Sequence, residues 1–505
     1  MRKYLVNGFT QGFTIGHNTP TTELHANNAP ILAKYPDIAR KKINQELKLG
    51  RIAGPFNTPP FQPFHISPLS LREKKEPGKY RMIHNLSYPY DSSSINNNIP
   101  DSEKSVHYAT VGDAIQILLK MPTSSYMAKT DIAEAYRLVP VSPSDYDKLG
   151  MHFEGHYYYD KCLPQGGASS CHIFELFSTA IQSTFLKLNP TAQMVHMLDD
   201  FLIMAPNKLQ CQQHLDAFLK LTADIGIPMS PEKTTSPSNI ITFLGIEINT
   251  TTRTAQLPQD KLDQYATSID ETLKLKKIRR NDLESLIGKL NFATAVVPAK
   301  PFLRRLYNLL HHRQTQYHYI LLTPEVKEDL LMWMKFLNSY NGVTYFRALN
   351  ITPNDTLPMV TDSCHKGFGG YYGTSWIQAA FPNSWSKLHI SVLELYPIYV
   401  LISMFGPQLA NSNILFKTDN AAVRDMINSQ SSKNSFSLKI LRLLVLNLVQ
   451  FNINLRSCHI PGISNTLADA ISRFKVDQNL LDAHNMDRNP TPIPSHLHPK
   501  NFKMM

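Results

Sequence analysis

The stretch His196-Met197-Leu198-Asp199-Asp200-Phe201-Leu202-Ile203-Met204 sets two adjacent carboxylates inside an apolar run. Burying paired like charges is costly unless something positive compensates, and a bound divalent cation is the usual compensation. Val195, Leu202 and Ile203 suit strands, so the pair is expected at the tip of a short hairpin whose arms enter a core. An Asp-Asp turn that merely joins two core strands is the alternative. A second acidic set lies in the C-terminal part. Asp362 ends the strand-like Met359-Val360-Thr361-Asp362, and Glu394 falls in the helical pattern opened by Val392-Leu393-Glu394-Leu395-Tyr396. Asp419 ends Ile414-Leu415-Phe416-Lys417-Thr418-Asp419, and Asp469 lies on a helix through Leu467-Ala468-Asp469-Ala470-Ile471. Their separations in sequence suit one small α/β domain. Each of these acids alone reads as a helix cap or a solvated charge.

More of a pattern surrounds the first pair. Ala128-Lys129-Thr130-Asp131 is a short strand ending in an acid, with the aromatic Tyr136 five positions on. Between the acids comes Cys162-Leu163-Pro164-Gln165-Gly166-Gly167, then an apolar helical pattern through Phe174, Phe177 and Ile181. Upstream, Lys74-Lys75-Glu76-Pro77-Gly78-Lys79-Tyr80-Arg81 reads as a basic hairpin around a Pro-Gly turn, although alone it would be an ordinary solvated turn. Downstream stand Pro228-Met229-Ser230-Pro231-Glu232-Lys233 and Phe243-Leu244-Gly245-Ile246. In this order the segments resemble the palm and fingers of a reverse transcriptase.

That resemblance implies roles. Asp131, Asp199 and Asp200 match the metal-binding carboxylates, Tyr136 the aromatic beneath the incoming sugar, and Gln165 with Gly166 the segment beside nucleotide and template. Lys75 and Arg81, with Lys74, would grip the triphosphate; Lys233 matches the family's lysine-bearing loop. Phosphoryl transfer from a nucleoside triphosphate is mostly positioning and charge neutralisation, with two metals about 4 Å apart bridging the attacking and leaving oxygens. One position departs from the family. The box before the paired aspartates is usually Tyr-x-Asp-Asp, and here Met197 fills the apolar space without a phenolic hydrogen bond to give.

The C-terminal order of strand Asp, helix Glu, strand Asp and helix Asp resembles ribonuclease H over about residues 355–475. The resemblance implies that Asp362, Glu394, Asp419 and Asp469 hold two metals that activate water on an RNA strand. His459 stands where ribonucleases H of retroviral type place a mobile histidine; a lone His before a Pro-Gly turn is as readily structural. Carboxylate ligands suit Mg²⁺ and Mn²⁺ alike, two ions per site.

Bulk properties agree. Lys and Arg exceed Asp and Glu by 51 to 40, with pI ≈ 9.2, which suits a polyanion and would equally suit a membrane surface. The five cysteines show no metal-ligand spacing, and a reducing compartment is the default. No apolar run approaches the roughly 18 residues of a membrane span, and Met1-Arg2-Lys3-Tyr4 opens no signal peptide. The protein is expected to be intracellular, cytoplasmic or nuclear, and not secreted.

The expected fold is a multidomain α/β (α+β) chain: a right-hand polymerase of fingers, palm and thumb, followed by an RNase H-like α/β domain. The expected divisions are a loosely ordered N-terminus at 1–30, fingers and palm at 31–255, a helical thumb and connection at 256–345, an RNase H-like domain at 346–475 and a disordered tail at 476–505. Partners would be an RNA template, a DNA primer, the RNA:DNA hybrid and dNTPs, with no membrane. The whole resembles the reverse transcriptase/ribonuclease H segment of retrotransposon polyproteins. Within that class Ile66-Ser67-Pro68-Leu69, Lys75-Glu76-Pro77-Gly78-Lys79-Tyr80-Arg81, Ile83-His84-Asn85-Leu86-Ser87-Tyr88-Pro89 and Ser285-Leu286-Ile287-Gly288-Lys289-Leu290 look closest to DIRS-like elements, which are thought to integrate by tyrosine recombinase. Two alternatives stay open: the same enzyme from a gypsy-like or pararetroviral element, and a decayed or host-adopted copy that binds hybrid without catalysis.

Overall fold

A computed structural model describes residues 1–74, 76–311, 318–340, 344–346, 359–462 and 465–502. The chain divides into two compact units, Met1–Leu244 and Gly245–Met505.

The centre of the first unit is a four-stranded antiparallel sheet in the order Thr235–Ser238, Tyr126–Asp131, Asp200–Ala205, Gln193–Met197. Phe201 to Ala205 are all fully buried, as expected of a central strand covered on both faces. The helices Ser170–Leu188 and Lys208–Asp224 supply part of that cover. Phe185 and Phe201 each meet Phe218, with ring centroids 5.2 and 5.0 Å apart. Burying one such side chain is worth about 1.5–3 kcal/mol, so this aromatic cluster does much to fix the sheet that carries the acids.

A second sheet of five strands draws its strands from both sides of Tyr126–Asp131 in sequence, and a hairpin, Leu69–Glu73 with Tyr80–His84, precedes that strand. The hairpin turn closes through the Gly78 N–H donating to Glu73 Oε1 (2.9 Å), with Gly78 at φ +78°. Its register sets Arg72 directly opposite Arg81.

The second unit contains helices Gln259–Lys274, Arg280–Ala293 and Pro324–Tyr340, matching the helical pattern read from sequence. Between them Lys277–Arg279 pairs with Tyr319–Leu321, strands too short to leave a period. Beyond lies a mixed five-stranded sheet in the order Ser375–Ala380, Gly367–Tyr372, Met359–Ser363, Asn413–Thr418, Asn454–His459. The first three strands run antiparallel and the last three parallel. Helices Ile390–Phe405 and Ser435–Gln450 bury its core. The unit boundary falls at Leu244/Gly245 rather than 255/256, since Ile246–Asn249 and Thr254–Gln256 form a strand pair within the second unit. Among the described residues no helix is long and apolar enough to cross a membrane.

Both terminal expectations are corrected. The first thirty residues are ordered, with a helix at Arg2–Gln11 and Phe13 buried against the ring edges of Tyr4 and Phe9. The Ile15 N–H donates to the buried carboxylate of Asp145 at 2.9 Å. The tail is likewise packed. Gln478–Ala483 is helical, Tyr396 donates its hydroxyl to the Leu497 carbonyl (3.0 Å), and Phe502 meets the rings of Tyr396 and Phe436. Prolines in Pro490-Thr491-Pro492-Ile493-Pro494 read as a linker, yet a proline-stiffened strap loses little entropy on docking, and a few apolar anchors suffice to hold it.

Candidate active sites

In the first unit Asp200 opens its strand directly opposite both Asp131 and Met197. Leu198 and Asp199 form the two-residue tip between them, and Leu198 takes φ +53°, a conformation that costs a non-glycine residue about 1 kcal/mol or more. Glu175, inside the apolar helix, accepts the Leu198 N–H (2.8 Å), and the Ile132 N–H donates to the Asp199 carbonyl (3.0 Å). The tip is thus tied to a helix and to the neighbouring strand. The sequence signal for Glu175 is an acid amid the apolar Phe174, Leu176 and Phe177.

The charges brought together here resist one another. Burial, and then the Asp131 charge, push the Asp199 carboxyl up to about 6, and the same two causes raise Asp200. Lys233 pairs with Asp131 at 2.8 Å; burial disfavours its ammonium, but the aspartate outweighs burial and holds it above the usual lysine range. Lys74 lies under burial and the fields of Lys42, Arg81 and Lys233, all of which lower it. Lys74 thus lies within reach of the charges of both Arg81 and Lys233. Lys75 lies outside the described residues.

Tyr136 stands edge-on to Phe174, centroids 5.3 Å apart, with its hydroxyl 3.1 Å from Cys171 Sγ. Burial and the Cys171 contact raise its pKa, which the Asp199 charge raises further, so the ring is close to the acidic tip. The Gln165-Gly166 loop docks on the end of the hairpin strand Tyr80–His84. The His84 N–H donates to the Gln165 carbonyl (3.1 Å), and a Cβ on Gly166 would meet the His84 carbonyl at 2.0 Å. With φ at +134°, only glycine fits at 166. Asn96, unremarked in the sequence, clamps this loop by donating to the Gly166 carbonyl and accepting the Ala168 N–H, each at 2.8 Å. Behind it Arg137 bridges Glu46 and Asp160, both at 2.8 Å, and His84 also holds Asp160. Burial pushes Asp160 up, but Arg137 and His84 outweigh it and keep the carboxyl low.

In the second unit Asp362, Glu394, Asp419 and Asp469 gather at one side of the mixed sheet. Burial, with the Asp419 and Asp469 charges, lifts Asp362 to about 6 against the Ser472 hydroxyl, which donates to Asp362 Oδ2 (2.6 Å). Burial lifts Glu394 to about 8, opposed by an Asn420 hydrogen bond and reinforced by Asp419 and Asp362. Asn420 also caps the helix Ala421–Ser429 through its side-chain oxygen. Pro397 explains how Glu394 is aimed. Lacking an N–H, it leaves the Leu393 carbonyl without its helical donor, and Ser363 Oγ donates there instead (3.1 Å). The residue after Asp362 thereby ties its strand to the residue before Glu394. Asp469 pairs with Arg473 (2.6 Å), and a Cβ on Gly462 would stand 3.3 Å from Asp419 Oδ2. His459 Nε2 donates to the Asp419 carbonyl at 3.1 Å.

Among the described residues no three His, Cys, Asp or Glu side chains close to metal-holding distances. Lys233, Ser472 and Arg473 take up carboxylate oxygens instead. The donor sets nevertheless fit hard divalent cations: both are all-oxygen, and in both the mutual repulsion that raises the acids is what a cation would relieve.

This carries a pH dependence. Folded, Glu394 gives up its proton near pH 8; unfolded, near its ordinary 4.5. Between these values the unfolded state binds fewer protons, so metal-free stability falls as pH rises, by on the order of a few kcal/mol from this group. Melting in EDTA should therefore drop by roughly 5–10 °C more between pH 5 and 8.5 in wild type than in Glu394→Gln. Parallel pH profiles for the two proteins would contradict the raised carboxyl.

The family model for reverse transcriptase (RNA-dependent DNA polymerase) matches residues 72–248. The chain is 23% identical over 455 residues to the enzymatic polyprotein of Figwort mosaic virus (strain DxS), covering 86% of this chain and 61% of that protein. It is 22% identical over 364 residues to the putative enzymatic polyprotein of Cassava vein mosaic virus, covering 69% and 53%. The chain thus spans little more than half the length of these relatives. The foamy viral protease-reverse transcriptase in complex with dsDNA superposes with TM-score 0.53 at 18% identity, over 88% of this chain and 87% of that one. The same enzyme with an RNA/DNA hybrid gives TM-score 0.53 at 17% identity, over 88% and 56%. At such identities the likeness is one of fold, a polymerase-like α/β architecture with a further domain. Residues 72–248, which contain the acidic hairpin, match the reverse transcriptase family model, and the chain as a whole is similar to viral enzymatic polyproteins.

Proposed function

We propose that the first unit is an RNA-directed DNA polymerase, extending a DNA primer on an RNA template with dNTPs, and that the second is a ribonuclease H acting on the RNA:DNA hybrid. The observation that carries this reading is the pairing of Lys233 with Asp131 beside Asp199 and Asp200, with Lys74 in the fields of both Lys233 and Arg81. Acids alone would repel a triphosphate and cations alone would not hold metal; together they suit a metal-bound triphosphate. Asp131, Asp199 and Asp200 would hold two Mg²⁺ or Mn²⁺ ions, as would Asp362, Glu394, Asp419 and Asp469. When bound, such ions supply charge neutralisation and a polarised attacking oxygen. Lys74 and Arg81 neutralise triphosphate oxygens, Tyr136 packs under the sugar, and the Gln165-Gly166 loop borders the templating base. Arg72 facing Arg81 supports this, because like charges set opposite each other are destabilising until an anion arrives. Met197 offers the primer terminus an apolar surface in place of a phenol.

The same segments that resemble DIRS-like elements support that origin, and a tyrosine-recombinase reading frame beside the coding sequence is its test. For the activity, the purified chain should extend a DNA primer on poly(rA) with Mg²⁺ or Mn²⁺ and release fragments from a labelled RNA:DNA hybrid. A folded chain that binds hybrid but does neither would overturn the enzymatic reading.

A further inference from the structure

We infer that a cleft in the second unit, separate from both acidic sets, is a binding site for adjacent phosphate groups. The cleft encloses about 610 Å³ among Phe302, Arg304 and Arg305, the helix Pro324–Tyr340 and the helix Ser435–Gln450. Five cations line it: Arg304, Arg305, Lys433, Lys439 and Arg442. Only two carboxylates, Glu328 and Asp329, oppose them, an excess of three positive charges.

Asp329 is 3% exposed and accepts from Arg305 (3.2 Å) and Arg442 (2.5 Å). One carboxylate between two guanidiniums leaves a net positive floor. Arg442 is further fixed with its guanidinium 5.1 Å from the Phe302 ring centre. Fixed, pre-oriented forks of this kind are what bidentate phosphate recognition needs. Arg304 supplies the observation that points to a ligand. Its Nε is shut off from solvent and has no hydrogen-bond partner among the described residues. Leaving such a donor unmet costs about 1–3 kcal/mol, a penalty that the Arg304 side chain escapes by turning onto an acceptor held in the cleft. Ser435 brings the first turn of a sixteen-residue helix to the wall, adding the positive end of its dipole.

The volume and the spread of cations suit two neighbouring phosphates, the unit shared by a phosphodiester backbone and a short polyphosphate. None of these residues belongs to the acidic sets, so the inference stands whether or not either site is catalytic.

The test uses the full chain in EDTA with tripolyphosphate as probe, read by calorimetry, and a labelled dT20 strand read by anisotropy over a salt series. Lys433→Glu, on the exposed rim, and Arg304→Gln should each weaken tripolyphosphate binding about ten-fold, with unliganded melting unchanged for Lys433→Glu. If the natural source is a nucleic-acid backbone, dT20 affinity should fall as well and its salt slope should shrink by about 1 per cation removed. Lost tripolyphosphate binding with dT20 unchanged would assign the site to a small polyphosphate. Tripolyphosphate affinity equal to wild type in both variants would overturn the inference.

Discussion

Asp199→Asn combined with Asp200→Asn should lower primer extension by at least ~10³-fold, the equivalent of about 4 kcal/mol of lost charge stabilisation, while hybrid cleavage stays near wild type. Asp419→Asn should do the reverse. The expectation rests on the two acidic sets being built separately. The first is held by the hairpin tip, by Glu175 on its helix and by the Asp131 strand. The second is held by Ser472, Asn420 and the Ser363 to Leu393 contact within the mixed sheet. No residue serves both. Asparagine keeps the size of aspartate and removes its charge, so metal affinity is lost without a cavity. The measurement is extension and cleavage by each variant at saturating Mg²⁺, with melting curves to confirm folding. Loss of both activities from either folded variant would count against two independent sites.

The second large effect concerns Tyr136. Tyr136→Val should cut discrimination against ribonucleotides by about ten-fold or more, with a smaller loss in deoxynucleotide use. A flat ring beneath C2′ excludes a 2′-hydroxyl by overlap, whereas deoxyribose packs against it. The ring is held by two neighbours on one helix, Phe174 edge-on and Cys171 at the hydroxyl, and the Asp199 charge acts on it. The competing account is that Tyr136 only fills the core. In that case truncation opens a cavity costing up to about 3–5 kcal/mol and lowers stability and both substrates' use together. Values of kcat/KM for a dNTP and the matching rNTP on one primer-template separate the two. An unchanged ratio would remove Tyr136 from sugar selection.

Acid order, helical periods and the apolar frame around Asp199-Asp200 were open to inspection in the chain, because alternation and charge in an apolar run are local properties. From them came the hairpin carrying Asp199 and Asp200, the strand ending at Asp131, the helix carrying Glu394 and the strand before Asp419. The Gly166 requirement was legible only as part of a motif. Its physical reason, a carbonyl of His84 lying where a Cβ would be, belongs to a contact across 82 residues of sequence.

What the tertiary structure alone decided is which groups meet. Nothing local in Glu175, Asn96, Ser472 or Pro397 announces that one braces the acidic tip, one clamps the Gln165-Gly166 loop, one bonds Asp362 and one frees a carbonyl for Ser363. The termini show the same limit. Proline and polar residues at 476–505 suggest a solvated tail and Asn/Thr-rich composition a loose start, yet Phe13 joins the core of the first unit, and Leu497 and Phe502 join the core of the second. Sequence determined the elements and their chemistry, since propensity and period act over a few residues. Folding determined burial, pairing and the raised carboxyls, since desolvation and Coulomb forces act between whatever the chain brings together.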